Sequence, residues 1–460
     1  YKYYLNKDLI FFNDKNSNDL ISKIILETSR ITGGTIQAIM ILISKSSLVI
    51  FITIGLLIYN IKISLISFLM ITFFYVLLNL FINKKIILNG KNITDQNKIR
   101  IKSINEGFEN IKEIIFYNKS NFFIRNFLAS AKSLAKSQLF ISTLSTLPLY
   151  FFQFVLIGSL ILAILILTNY NNQSFDSIVT TLSVFALAGL RLIPSLNGIY
   201  TSFTQIKSNQ PAFQNLKTDL KNIIIDNYNF EKPNKEKISV KKYIEINKLS
   251  FRYPNSNKFI FKNFNLKIEL GKIIGIKGKT GIGKTTLIDL LLGLIKPLKG
   301  NIIIDGNILK IKSQTIGQLS YVPQNIYLFD TTIKENVSFI SNDVESSKKN
   351  IAQLKKVLKI SNSDIFVNKL RGKYNFRVGE RGIKLSGGQI QRLGIARALY
   401  NEPKVIIFDE STNSLDAKTE KLILKNLRQY VKMNNGTILF IAHNKTVLNY
   451  CDEVINLDDK

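Results

Sequence analysis

Ile273-Ile274-Gly275-Ile276, followed by Gly278-Lys279-Thr280-Gly281-Ile282-Gly283-Lys284-Thr285, reads as an apolar strand, a glycine-rich turn and the start of a helix. Gly278, Gly281 and Gly283 let the backbone wrap tightly, so its N–H groups converge on a phosphate. Lys284 is placed to neutralise β- and γ-phosphates, Thr285 to ligate Mg²⁺, and Thr286 to face the α-phosphate side. This strand–loop–helix predicts an α/β core of the P-loop type.

Working outward, Val405-Ile406-Ile407-Phe408-Asp409-Glu410 predicts a buried parallel strand ending in two carboxylates. Asp409, at the strand's C-terminal edge, suits a water-mediated Mg²⁺ contact. Glu410, one residue on, reaches the side where water attacks a γ-phosphate and can polarise that water. In Leu385-Ser386-Gly387-Gly388-Gln389 a serine and two glycines open a predicted helix. They present a hydroxyl, bare N–H groups and the positive end of a helix dipole to an anion.

That pentapeptide, running into Gln391-Arg392-Leu393-Gly394-Ile395-Ala396-Arg397-Ala398-Leu399, resembles the signature motif of the ATP-binding cassette (ABC) family. The resemblance implies ATP and Mg²⁺ as ligands, with two cassettes paired head to tail. Ser386, Gly387, Gly388 and Gln389 of one chain would then cover ATP held by Lys284 and Thr285 of the other. Gln324, in Tyr321-Val322-Pro323-Gln324, matches the family's Q-loop, whose amide touches Mg²⁺ or the attacking water. Tyr253 matches the aromatic that stacks on adenine, and Ser414-Leu415-Asp416 matches the D-loop. His443, the only histidine, falls at the switch position that contacts the γ-phosphate and supports Glu410. Ser414 and Asn444 depart from the family's usual Ala and Arg. Arg377-Val378-Gly379-Glu380-Arg381-Gly382 resembles a loop characteristic of exporters.

The first half differs in kind. The chain has 460 residues, 46% of them hydrophobic, and gathers many of these into long Ile/Leu/Phe runs, which is unusual for a soluble protein. Apolar runs long enough to span a bilayer lie at about 39–59, 63–81, 139–167 and 178–203. The eleven Lys and Arg from Lys84 to Lys136 make the stretch between the second and third runs a cytoplasmic loop, whereas Asn169 to Ser177 has none. Both ends of the chain are then cytoplasmic. The net charge of +30 comes mostly from Lys spread along the chain. This fits a protein facing anionic lipid, and no nucleic-acid partner is expected. A single cysteine, Cys451, excludes an intramolecular disulfide, and one histidine argues against a Cys- or His-built metal centre.

The expected fold is an all-α transmembrane domain over residues 1–225, a polar linker over 226–242 and a nucleotide-binding domain over 243–460. The latter is an α/β P-loop NTPase with an antiparallel β subdomain and a helical subdomain. The start at Tyr1 without Met, and the family's six spans, imply a fragment lacking upstream spans. The resemblance implies an ABC half-transporter that exports or flips a substrate, with catalysis by Glu410, His443 and Gln324 and metal binding by Thr285, Gln324 and Asp409. Its partners would be a second copy (a homodimer, or a heterodimer) and the lipid bilayer. Its location would be a bacterial inner membrane, with the cassette cytoplasmic. Glu113-Ile114-Ile115-Phe116-Tyr117-Asn118-Lys119 and Leu147-Pro148-Leu149-Tyr150 resemble flippases of lipid-linked oligosaccharides more than peptide exporters. Two alternatives stay open at this level: a soluble cassette ATPase acting on nucleic acid, and an ATP-gated regulatory or channel-like member.

Overall fold

The computed structural model describes residues 1–169, 175–225, 240–309, 318–339, 348–412 and 414–459. The chain divides into two units, Tyr1–Lys7 with Phe11–Asn229, and Asp8–Ile10 with Phe230–Lys460. Residues 170–174 of the expected loop without Lys or Arg, and all but 240–242 of the expected linker, lie outside the described residues.

The first unit is helical. Its long helices are α1 (Gln37–Tyr59), α2 (Ile61–Glu109), α3 (Ser120–Asn169) and α4 (Phe175–Ile225). The four apolar runs fall within α1 to α4 in order. Among the described residues, Ser17–Tyr59 and Ser183–Ile223 are long and apolar enough to cross a membrane. The Lys-rich stretch expected as a loop is instead almost wholly helical. It comprises the end of α2, a short helix over Ile111–Phe116, and the start of α3. The charges mark where the apolar surface ends, but nothing there stops a helix. No proline occurs between Ile61 and Glu109, and Lys, Asn, Ile and Glu all continue a nucleated helix. α2, 49 residues long, therefore runs far past its apolar segment. Pro148 lies inside α3, and Pro194 and Pro211 inside α4.

The second unit is built on two sheets. Strands β1 (Tyr243–Phe251), β2 (Phe261–Glu269), β3 (Ile273–Lys277), β4 (Lys299–Ile304) and β5 (Asn307–Ile308) precede β6 (Leu319–Val322), β7 (Val405–Asp409), β8 (Thr437–Ile441) and β9 (Glu453–Asn456). The antiparallel sheet has the order β2-β1-β4-β5, closed by an Asp305-Gly306 hairpin with both residues at positive φ. The five-stranded sheet, β6-β7-β8-β3-β9, is parallel at every pairing.

Alternation along the parallel strands splits the core in two. Ile406, Phe408, Ile438 and Phe440 face one layer. They pack there with helix α6 (Gly387–Leu399), helix α7 (Ala417–Asn434) and the helix Lys348–Ile360. Ile407, Leu439, Ile441, Ile274 and Ile276 face the other, with helix α5 (Lys284–Leu291) and the inner face of the antiparallel sheet. A P-loop α/β domain with antiparallel β and helical subdomains, following an all-α domain, is thus the architecture.

Candidate nucleotide site

The parallel sheet brings the predicted residues to one edge. β3, β8 and β7 are adjacent, with Ile276 opposite Ile441 and Ile441 opposite Asp409. The loop after β3, His443 after β8 and Asp409-Glu410 at the end of β7 therefore share the C-terminal edge, where open α/β sheets bind ligands. Gly283 takes φ 108, and a Cβ there would meet Ile260 at 2.4 Å, so only glycine fits. Gly281 also has positive φ, and Gly278 sits tightly against Ile282 and Leu457.

The Lys284 ammonium donates to the carbonyls of Gly278 at 2.7 Å and Lys279 at 3.3 Å, arching over the loop. It also lies 2.8 Å from His443 Nε2. An ammonium can only donate, so Nε2 accepts here and the imidazole proton sits on Nδ1. His443 Nε2 is 3.3 Å from Glu410 Oε1, and Gln324 Nε2 donates to Glu410 Oε2 at 3.2 Å. Gln324, Glu410, His443 and Lys284 thus form one continuous polar line. Glu410 itself sits at φ 47, its amide donating to the carbonyl of Ile441 at 3.0 Å.

A second acidic group was not legible in the sequence. Asp289, on α5, is pushed up to about 6 by burial, with the charge of Asp409 adding to it. Asp409 is itself raised by burial, a shift opposed by a hydrogen bond from Tyr321 at 3.2 Å. Asp409, a buried carboxylate at the sheet edge that carries the phosphate loop, is a donor that a divalent cation stabilises.

The folded chain holds a proton on Asp289 where the unfolded chain has lost it. This contribution to stability is full below the ordinary carboxyl value and is lost as pH rises through about 6. Asp289→Asn is therefore expected to raise the cassette's melting temperature at about pH 8, the gain closing as pH falls towards about 4. Scanning calorimetry without Mg²⁺ checks this, and equal shifts at both pH values would contradict it.

The other predicted residues lie as follows. Tyr253 OH is 3.3 Å from Thr286 Oγ1, beside the helix that follows the loop. Ser386 caps α6 in a reciprocal box with Gln389. The Ser386 amide donates to Gln389 Oε1 at 2.9 Å, and the Gln389 amide donates to Ser386 Oγ at 3.4 Å. Gly388 lies against the D-loop, where a Cβ would stand 3.3 Å from the Ser414 carbonyl. Asp416 caps α7 through the Thr419 amide. Asn444 caps the next short helix and donates to Glu420. Among the described residues, no hydrogen bond joins Ser386–Gln389 to the loop carrying Lys284.

Two arginines hold the signature helix, α6. Arg392 donates to Gly388 O at 3.2 Å and Asn362 O at 2.9 Å, and stacks on Phe366. Arg397 donates to the carbonyls of Asn336 and Tyr327 and to Asn336 Oδ1. Burial lowers Arg397 to about 10, and the carbonyls and nearby Phe339 ring stand in for a carboxylate. Arg397 thereby fixes α6 to the segment that follows Gln324.

With this geometry in place, similarity to known proteins is informative. The ABC transporter pattern matches residues 261–413, and the ABC transporter transmembrane region matches residues 1–189. The leukotoxin export ATP-binding protein of Aggregatibacter actinomycetemcomitans is 37% identical over 217 residues, 47% of this chain. The chain spans only 30% of that protein's length. An ATP-dependent lipid A-core flippase of Pectobacterium atrosepticum aligns over 100% of this chain and 77% of its own length, at 25% identity. The fold is similar to a bacterial Atm1-family ABC exporter solved with ATP bound. Its TM-score is 0.82 at 20% identity, over 99% of this chain and 79% of that one.

Proposed function

This chain belongs to the ABC transporter family, and from that premise we propose that two copies of it couple ATP hydrolysis to export or flipping of a substrate across a membrane. The observation that carries the reading is the line Gln324–Glu410–His443–Lys284 at the edge of the parallel sheet. Lys284 and the loop amides of Gly278, Gly281 and Gly283 bind the phosphates of ATP, and Tyr253 packs on its base. Thr285, Gln324 and Asp409 would hold Mg²⁺, which when bound would neutralise phosphate charge. Glu410 takes a proton from the attacking water while the Gln324 amide, donating to Oε2, holds its carboxylate. As Lys284 turns to phosphate, His443 Nε2 is released, and with the imidazole proton moved to Nε2 it donates to the γ-phosphate.

Ser386 to Gln389, remote from the chain's own loop in hydrogen bonding, cover the nucleotide of a second cassette, with Asp416 at the junction. The division at residues 1–225, 226–242 and 243–460 separates the membrane domain from the cassette. The cassette faces the cytoplasm of a bacterium whose inner membrane holds the spans.

For substrate we favour a lipid-linked glycan. The stretches 113–119 and 147–150 support this, as does a relative, aligned over the whole chain, that is a lipid A-core flippase. ATPase activity in proteoliposomes tests it. Glycolipids are expected to stimulate turnover, and a flat response to them with a strong response to peptides would overturn the preference.

A further inference from the structure

Three helices of the first unit meet at one level, and each is interrupted or bare there. The N-terminal helix leading into α1 passes through π-helical turns at Lys23–Glu27 and Arg30–Ile36. The Thr28 amide donates to Lys23 O, and that of Gln37 to Thr32 O, each five residues back. Such turns carry an extra residue that a shift of register can absorb. α4 has Pro211, which offers no amide to the carbonyl of Lys207 and crowds it. α2 has Gly90, where a Cβ would lie 2.1 Å from Ser208 O, so the two backbones touch. At Gly34 a Cβ would meet Asn209 Nδ2 at 2.2 Å.

Arg30 ties the three together. Its Nε donates to Asn209 Oδ1 at 3.1 Å. One terminal nitrogen donates to Thr94 Oγ1 at 2.6 Å and Glu27 Oε2 at 3.5 Å. The other donates to Ser208 O at 2.8 Å and Gly90 O at 3.4 Å. Glu27 is fully buried, yet its Oε1 has no hydrogen-bond partner. An unsatisfied buried carboxyl oxygen is costly, and Glu27 Oε1 is an acceptor within one turn of the Arg30 guanidinium that a small shift of the helices could bring a donor to. Arg30, Thr94 and Asn209 all lie past the expected span ends at 39, 81 and 203. They stand roughly 8–20 Å along their helices, towards the Lys-rich side.

We infer that this level is a hinge of the helical unit and that Arg30 is its clasp. As α2 and α4 part, the turns of residues 23–36 slip in register, and Arg30 exchanges carbonyl acceptors for Glu27 Oε1. The link of this motion to nucleotide rests on the ATP-driven reading above; the clasp itself does not.

Hydrogen–deuterium exchange on the protein in lipid nanodiscs tests both parts. Without nucleotide, Arg30→Met is expected to raise exchange by about tenfold or more at 23–36, 88–97 and 205–214, with 122–136 changing less than about twofold. Thr94→Val, which removes one acceptor, gives a smaller rise in the same segments and serves if Arg30→Met does not fold. A uniform rise across all helices, or one confined to 23–36, overturns the clasp. In Glu410→Gln, ATP with Mg²⁺ is expected to protect 278–286 and to alter exchange at the same three segments. Protection of 278–286 with no change at the three segments overturns the hinge and leaves the transport reading intact. No protection at 278–286 refutes the ATP reading and the nucleotide-driven hinge with it, while the Arg30→Met result still decides the clasp.

Discussion

Glu410→Gln is expected to lower ATP turnover by about 10²–10⁴-fold while leaving ATP binding nearly unchanged. Glutamine keeps the size of the side chain and can still meet Gln324 and His443, which flank the two carboxylate oxygens at 3.2 and 3.3 Å. It cannot accept a proton from water. Lys284 and the glycine loop, which bind phosphate, are untouched, so the effect falls on kcat rather than on nucleotide affinity. Steady-state ATPase assays beside equilibrium ATP binding check the split. Turnover at the wild-type level would remove Glu410 from the role of base. A large loss in His443→Ala with only a small one in Glu410→Gln would transfer that role to the imidazole.

The parts of the site legible in the sequence are those whose chemistry fixes short spacings. A phosphate loop needs glycines and a lysine within eight residues, and the strand before it must be apolar. A capping serine must precede its helix by one residue, and the cap formed by Ser386 and Gln389 has that spacing. Asp305-Gly306, directly after the apolar Ile302-Ile303-Ile304, carries its hairpin turn within two residues.

Contacts between distant residues left no such trace. Lys284 and His443 are 159 positions apart and meet only because β3 and β8 pair in parallel. Asp289 looks like a polar residue on a helix until the fold sets it near Asp409. Glu27 and Arg30 read as a solvated pair one turn apart, yet both are drawn into a three-helix junction. The π-helical turns had no pattern to betray them, because a five-residue repeat over one turn leaves no usable periodicity. The Lys-rich segment reads as a loop because hydropathy reports where lipid contact ends, and a helix can outlast it.

The central claim is that the chain carries both halves of a nucleotide site but completes one only with a partner. Two variants disable opposite halves. Lys284→Ala removes charge-assisted phosphate contacts worth about 1.5–3 kcal/mol each. Gly388→Glu puts bulk and negative charge at the opening of α6, where a Cβ already stands 3.3 Å from Ser414 O. Neither homodimer should occlude ATP. A mixed dimer pairs the intact loop of the Gly388→Glu chain with the intact lid of the Lys284→Ala chain. Retention of label in purified mixed dimers given α-labelled ATP, with vanadate replacing the departed γ-phosphate to trap the ADP, is therefore the direct measurement. Retained nucleotide in the mixed dimer and none in either parent is the predicted result. Mixed dimers as empty as both parents would contradict the shared site.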